Sequence, residues 1–242
     1  MMEGAFDRTA LLVGEEAMGR IAEANVIVFG IGGVGSWVAE ALVRTGIRHI
    51  TLVDSDRVAV TNINRQMPAT AVTVGEIKTE AARRRLLAIN PDADVRILTI
   101  FYDSETAPQI NLSAYDYIVD AIDSLKDKAL LILNATRSGR KLYSSMGAAL
   151  KMDPTKIKVG EFWSVKGCPL ARALRQRFKK TKEYPARKFL CVYSDELLEN
   201  KGSTMETCEY KARINGCLCH ITAIFGMTIA GEIIKDLSCD AL

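Results

Sequence analysis

The sequence predicts an α/β protein: a Rossmann-like, doubly wound, mostly parallel sheet with a C-terminal antiparallel extension. Three observations carry that expectation. Apolar runs of strand length alternate with segments of helical periodicity over residues 1–150. One run, Asn25–Phe29, ends in the glycine-rich turn from Gly30 through Gly32 and Gly33 to Gly35. A second, His49–Val53, delivers Asp54. Strand, glycine turn, helix and strand form a βαβ unit, whose crossover makes the two strands parallel.

The elements run in order along the chain. Residues 7–24 place Leu11, Leu12, Ala17, Met18, Ile21 and Ala22 at helical spacing and predict one opening helix. A helix over residues 36–45 comes after the glycine turn. Another over Lys78–Ile89 is stopped by Asn90 and Pro91. Strands are expected at 95–101, at 115–119 with Asp120 as a strand-end cap, and at 142–145, with a helix over 126–138. Residues 1–150 thus read as a Rossmann-like domain, and 151–242 as an extension of the same sheet. In that extension 156–162 alternates like an exposed antiparallel strand. Residues 166–188 read as a basic loop, and the weakly polar run 217–231 as a buried closing helix.

Composition bounds the function. The 242 residues, 48% hydrophobic and 25% charged, suffice for one large domain. The net charge of +3 does not by itself announce a nucleic-acid partner. Its distribution is uneven: 166–188 carries nine basic side chains against Glu183, a local +8, leaving 23 basic and 28 acidic residues, or −5, elsewhere. Arg172, Arg175, Arg177, Lys179, Lys180 and Lys182 are the candidate phosphate contacts, and a solvated charged loop is the plain alternative. The six cysteines, Cys168, Cys191, Cys208, Cys217, Cys219 and Cys239, form no CxxC pair, which argues against a zinc ribbon. No run reaches the roughly 20 apolar residues a membrane span needs, and the first 20 residues lack a signal-peptide pattern. A cytoplasmic location is expected.

A GxGxxG turn lets backbone N–H groups approach a phosphate at a helix N-terminus, but alone it would suggest a nicotinamide enzyme. Asp54 ends the second strand, where a carboxylate can accept from ribose hydroxyls. The segment it opens is unusually polar, with Asp54, Asp56, Asn62, Arg65 and Gln66, then Lys78. Hydride transfer does not need that array. A triphosphate does, because Arg65 and Lys78 can neutralise phosphate charge during attack. Asp123 is placed to hold Mg²⁺.

The ordered motifs GxGGxGS, VDxDxVxxTNxNRQ, VGxxK and DAIDS resemble the ubiquitin-activating-type superfamily that includes ThiF, MoeB and HesA. The wording of FDRTALLVGEEA, TNINRQ, INPDADV and IAGEIIKDL is most similar to its tRNA threonylcarbamoyladenosine dehydratase branch. The resemblance implies ATP-dependent adenylation of a carboxylate, and, in that branch, cyclisation of threonylcarbamoyladenosine in tRNA. It assigns the nucleotide loop to Gly30, Gly32, Gly33 and Gly35, the ribose to Asp54, and the phosphates to Asn62, Arg65 and Lys78. Asp56 and Gln66 complete the nucleotide set. Asp123 would bind magnesium, and Arg8 would reach the γ-phosphate of a partner subunit in a homodimer. A cysteine-desulfurase or sulfur-acceptor system is a further candidate partner, and activation of a sulfur-carrier or ubiquitin-like tail is the alternative function. The missing CxxC pairs weigh against that alternative.

The remaining cysteines are expected to be inert. Cys217, Cys219 and His220 have no usual zinc spacing and are expected to pack inside a buried helix. Cys191 and Cys208 lie where related enzymes keep thioester-forming cysteines, yet ring closure needs no enzyme thioester.

Overall fold

A computed structural model describes residues 4–202 and 214–239. Cys208 lies outside these residues. The chain runs α1 (Asp7–Val13), α2 (Glu15–Glu23), β1 (Asn25–Phe29), α3 (Gly35–Thr45), β2 (His49–Val53), α4 (Lys78–Ile89) and β3 (Asp94–Leu98). It continues through β4 (Tyr117–Asp120), α5 (Leu125–Arg137), β5 (Lys141–Ser145), β6 (Ile157–Glu161), α6 (Pro169–Thr181), β7 (Leu190–Ser194) and α7 (Cys219–Ser238). One seven-stranded sheet has the order β3-β2-β1-β4-β5-β7-β6. Every neighbouring pair is parallel except β6 with β7. The expected α/β class and its antiparallel extension are both present.

Alternation along the strands builds two cores. In β1, Val26 and Val28 face one way, with Val38 and Leu42 of α3, Leu86 of α4, and Phe225 and Ile229 of α7. Ile27 and Phe29 face the other, with Ile132 of α5 and Leu174 and Phe178 of α6. The chain winds outward from β1 in both directions, so a switch point opens between β1 and β4. In parallel sheets of this kind ligands bind at the carboxyl ends of the strands beside such a point.

The structure corrects several details. The opening helix is two helices, because Gly14 has φ 84° and ψ 160°, a conformation only glycine adopts readily. Ala17 and Ile21 are buried while Leu11 and Leu12 stand exposed, at 86% and 85%. The basic stretch is largely a helix rather than a loop. Pro169 starts α6, where its missing N–H costs nothing, and Ala171, Leu174 and Phe178 bury one face at spacings of three and four. Strand β7 departs from the expected pattern; it inserts between β5 and the anticipated edge strand β6. Among the described residues no helix is long and apolar enough to cross a membrane.

Phe178 is 1% exposed and meets the Phe162 ring edge-on at 5.9 Å between centroids. Phe178→Ala should therefore cost about 3–5 kcal/mol, read as a lower urea midpoint. A loss below about 1 kcal/mol would show that α6 is not packed this way.

Candidate active site

One cavity of about 750 Å³ opens across the carboxyl ends of β1, β2, β4 and β5. Its walls include Gly30, Gly32, Gly33, Asp54, Asp56, Arg65, Gln66, Lys78 and Asp123, so residues far apart in sequence converge there. Its size is in the range of small-molecule sites.

The glycine turn is shaped by close approach. A Cβ on Gly35 would sit 1.9 Å from the Gly30 carbonyl oxygen, and one on Gly30, at φ +85°, would sit 2.7 Å from that of Ala121. Only glycine permits this tight reversal into α3, whose N-terminus then faces the cavity. Gly35 itself lies beneath the wall.

Asp54 ties this turn to the next two motifs. Its Oδ2 accepts the Ile31 N–H at 2.7 Å, and its Oδ1 accepts the Asp56 N–H at 2.9 Å. The buried Lys78 ammonium lies 3.3 Å from Asp54 Oδ1 and 2.9 Å from Asp56 Oδ2. Lys78 is brought there by its backbone: its N–H donates to the Asp56 carbonyl at 3.0 Å, and Gly75 N–H to the Val58 carbonyl at 2.8 Å. The VGxxK segment thus folds back onto the loop after β2 and starts α4 under the cavity.

Arg65 is held from α3. Trp37 Nε1–H donates to its carbonyl at 3.0 Å, and Ser36 Oγ accepts the Met67 N–H at 3.1 Å. Its guanidinium Nη1 donates to the Thr61 carbonyl and to Asn64 Oδ1, both at 2.9 Å. Gln66 Oε1 is buried with no hydrogen-bond partner among the described residues. Such an orphan acceptor on a cavity wall is costly unless a ligand donates to it.

Asn62, expected at the phosphates, and Arg8, expected to act in a partner subunit's site, do not line this cavity. Asn62 is not on the cavity wall: its Oδ1 accepts the Ala59 N–H at 3.1 Å, and its carbonyl accepts the Arg65 and Gln66 N–H groups at 3.1 and 2.9 Å. It folds the turn that presents Arg65. Arg8 is exposed on α1, a helix with no buried residue.

Asp120 and Lys128 form a pair that the sequence does not announce. Both are fully buried, 2.8 Å apart. Asp120 Oδ2 also accepts from Ser144 Oγ at 2.6 Å. The pair grips both backbone groups of Ile122: its N–H donates to Asp120 Oδ1 at 3.2 Å, and its carbonyl accepts from Lys128 Nζ at 3.1 Å. Ile122 precedes Asp123, so the pair sets where that carboxylate emerges. Lys128 stands just before the run Ala129–Leu133, and a charge abutting apolar residues is the available clue.

The cysteine expectations divide. Cys191 is buried on β7, and burial pushes its thiol well above the usual range, which suits an inert residue. The buried-helix expectation for the other segment is corrected. Cys217 lines the cavity, while Cys219 and His220 are exposed where α7 begins, and His220 Nε2 lies 3.0 Å from the Met152 carbonyl. The helix buries its apolar face only from Ile221 onward.

Removing one member of the buried pair strands the other charge. Lys128→Met should cost about 3–5 kcal/mol in chemical denaturation. Adding Asp120→Leu should recover a large part of that. A single variant as stable as the parent would contradict the pairing.

The ThiF family model matches residues 6–240. The chain is similar to tRNA threonylcarbamoyladenosine dehydratase of Haemophilus influenzae, 37% identical over 97% of this chain and 94% of that one. It is also similar to the Escherichia coli dehydratase, at 37% identity over 98% and 94%. Crystal structures of the E. coli enzyme in complex with ATP and with AMP each superpose with a TM-score of 0.86 at 38% identity, covering 96% of this chain and 93% of theirs. With the match spanning nearly its whole length, the chain belongs to the ThiF family.

Proposed function

We propose that this protein is an ATP-dependent tRNA threonylcarbamoyladenosine dehydratase. It adenylates the threonyl carboxylate and lets the substrate's own ureido nitrogen close the ring. The observation that carries the reading is the convergence of Asp54, Arg65, Gln66, Lys78 and Asp123 on one cavity, in a fold matching the ATP-bound dehydratase of E. coli along nearly its whole length.

Each side chain has a task there. Asp54 accepts from the ribose, and the turn from Gly30 to Gly35 receives phosphate at the start of α3. Arg65 and Lys78 face the phosphates and offset the charge that grows as the carboxylate attacks the α-phosphorus. In this role Lys78 exchanges Asp54 and Asp56 for phosphate oxygens. Asp56 holds Lys78 before that exchange, and Asn62 keeps the Arg65 turn folded. Magnesium suits the donor chemistry of the same wall: Asp123 lines it, and Mg²⁺ is commonly held by one or two carboxylates plus substrate phosphates. Asp123 would be its carboxylate, and the ion would neutralise the departing pyrophosphate.

The two parts of the chain divide the work. Residues 1–150 hold the nucleotide, and 151–242 add the acyl side of the cavity and a surface for tRNA. Arg172, Lys179 and Lys180 on α6, and Lys182 just past its end, are exposed, which suits contact with tRNA phosphates. Arg175 contributes less, because its guanidinium donates to the Phe162 carbonyl at 2.9 Å and lies over the Phe162 ring. A homodimer is supported by α1, where Leu11 and Leu12 stand exposed beside Arg8. That helix would carry Arg8 to the partner's γ-phosphate. Such a tRNA-modifying enzyme belongs in the cytoplasm.

Purified protein with ATP, Mg²⁺ and modified tRNA should yield a nucleoside lighter by one water. Unchanged nucleoside mass, with ATP consumed, would overturn the reading. Lys78→Ala and Arg65→Ala should each lower turnover by about 10²–10³-fold. Equal mixing of Arg8→Ala with Lys78→Ala should recover about a quarter of the activity, because only mixed dimers rebuild one complete site; no recovery would rule out action in trans. Lys179→Ala with Lys180→Ala should weaken tRNA binding and flatten its salt dependence by a log–log slope of about 1–2. An unaltered slope would remove α6 from the tRNA surface.

A further inference from the structure

The acyl side of the cavity is lined by Lys151, Pro169, Leu170 and Leu197, and its wall runs back through residues 145–150 to β5. Lys151 is the cationic residue of that wall, in the same cavity as Asp54 at the end of β2 and Lys78 at the start of α4. It is only 4% exposed, although lysine is among the residues least often buried without a counter-charge. Its ammonium donates to a carbonyl, that of Glu196, and no carboxylate lies within ion-pair distance among the described residues.

The surroundings are built to keep it so. The Glu196 carboxylate is turned to the Met152 and Asp153 N–H groups, at 2.7 and 2.9 Å, with Lys156 at 3.9 Å. Asp195 is paired with Lys158 at 2.7 Å. The Cys168 thiol at the start of α6 is buried, and the His220 ring faces the Met152 carbonyl. The preceding residue, Leu150, has φ 58°, a strained value for leucine. It is pinned there from two sides: its N–H donates to the Gly216 carbonyl at 2.9 Å, and its carbonyl accepts the Leu198 N–H at 2.9 Å. Strain held in place next to a buried lysine, on the wall of a cavity, marks a position shaped for contact.

We infer that Lys151 is the base for ring closure. It is a catalytic residue that serves the second half-reaction and not the first. This rests on the adenylation reading above. The ureido nitrogen attacks the acyl carbon, the new C–N bond forms, and the C–O bond to AMP breaks. The N–H proton passes to the uncharged Lys151 amine, and the resulting ammonium gives it to water once AMP has left. Burial supports the task, since desolvation holds the Lys151 ammonium below the ordinary lysine range. Cys168, Glu196 and Asp195 oppose that shift. The uncharged amine is the working form, so ring closure should slow as the pH falls through the Lys151 pKa.

Single-turnover reactions with ATP, Mg²⁺ and modified tRNA separate the two steps, by following pyrophosphate and cyclised nucleoside independently. In Lys151→Gln and Lys151→Arg, pyrophosphate release should stay within about threefold of the parent, while ring closure slows about 10²-fold or more. The acid limb of ring closure should vanish in Lys151→Arg, whose side chain does not deprotonate. Ring closure within about threefold of the parent, or pyrophosphate release falling in step with it, would overturn the inference while leaving adenylation intact. Parent protein that releases no pyrophosphate would overturn the adenylation reading and this inference together. A Lys151→Gln chain that fails to fold leaves Lys151→Arg and the parent's own pH profile to decide, and a flat profile counts against the base.

Discussion

The Asp54 carboxylate is the point on which the nucleotide side of this molecule depends. One oxygen holds the N–H of Ile31 in the glycine turn, the other holds Asp56, and both lie near the Lys78 ammonium. A single side chain thereby joins the loop after β1, the loop after β2 and the start of α4. A parallel sheet brings its strand ends to one edge, but that edge is only a row of loops until something fixes them to each other. Asp54 does this with charge-assisted hydrogen bonds, which are shorter and stronger than neutral ones. It also keeps Lys78 buried without stranding its charge. In the proposed reaction an incoming triphosphate takes over Lys78 without creating an unpaired cation.

A parallel device works on the other side of the switch point. Asp120 and Lys128 are buried together and grip both backbone groups of Ile122. Buried ion pairs are poor sources of net stability, so the value of this one lies in placement: it determines where Asp123 leaves the sheet. The two pairs flank the opening between β1 and β4, and each fixes a loop by its backbone. Lys151 follows the opposite rule. It is buried with a carbonyl for company and, among the described residues, no carboxylate within ion-pair distance, which suits the base proposed for ring closure.

The legible parts of the sequence are those governed by local rules. Alternating apolar runs and a glycine turn define β1, β2 and α3 within a residue, and α4 to the residue, because hydrophobic period and turn chemistry act over a few positions. The array from Asp54 to Lys78 points to a triphosphate for a chemical reason, and all of it but Asn62 shares the cavity. Features governed by long-range packing are obscured. Pro169 and the basic charge disguise α6 as a loop, although Ala171, Leu174 and Phe178 carry a helical period. Strand β7 is no shorter than β1, but its parallel partner β5 lies 47 residues earlier by the Ser145–Val192 pairing. Lys128 and Lys151 stay hidden in the sequence because lysine normally marks solvent. Asn62 is legible as part of a motif but not as the residue that folds the turn rather than lining the wall.

In the proposed reaction a carboxylate on the tRNA attacks the α-phosphorus of ATP. Substrate carrying ¹⁸O in its threonyl carboxylate tests that step directly. Adenylation followed by ring closure predicts one labelled oxygen in AMP and none in the inorganic products, because the C–O bond that breaks in the second step leaves its oxygen on the phosphate. Label in orthophosphate, with ADP as the nucleotide product, would mean attack at the γ-phosphorus and would contradict the account.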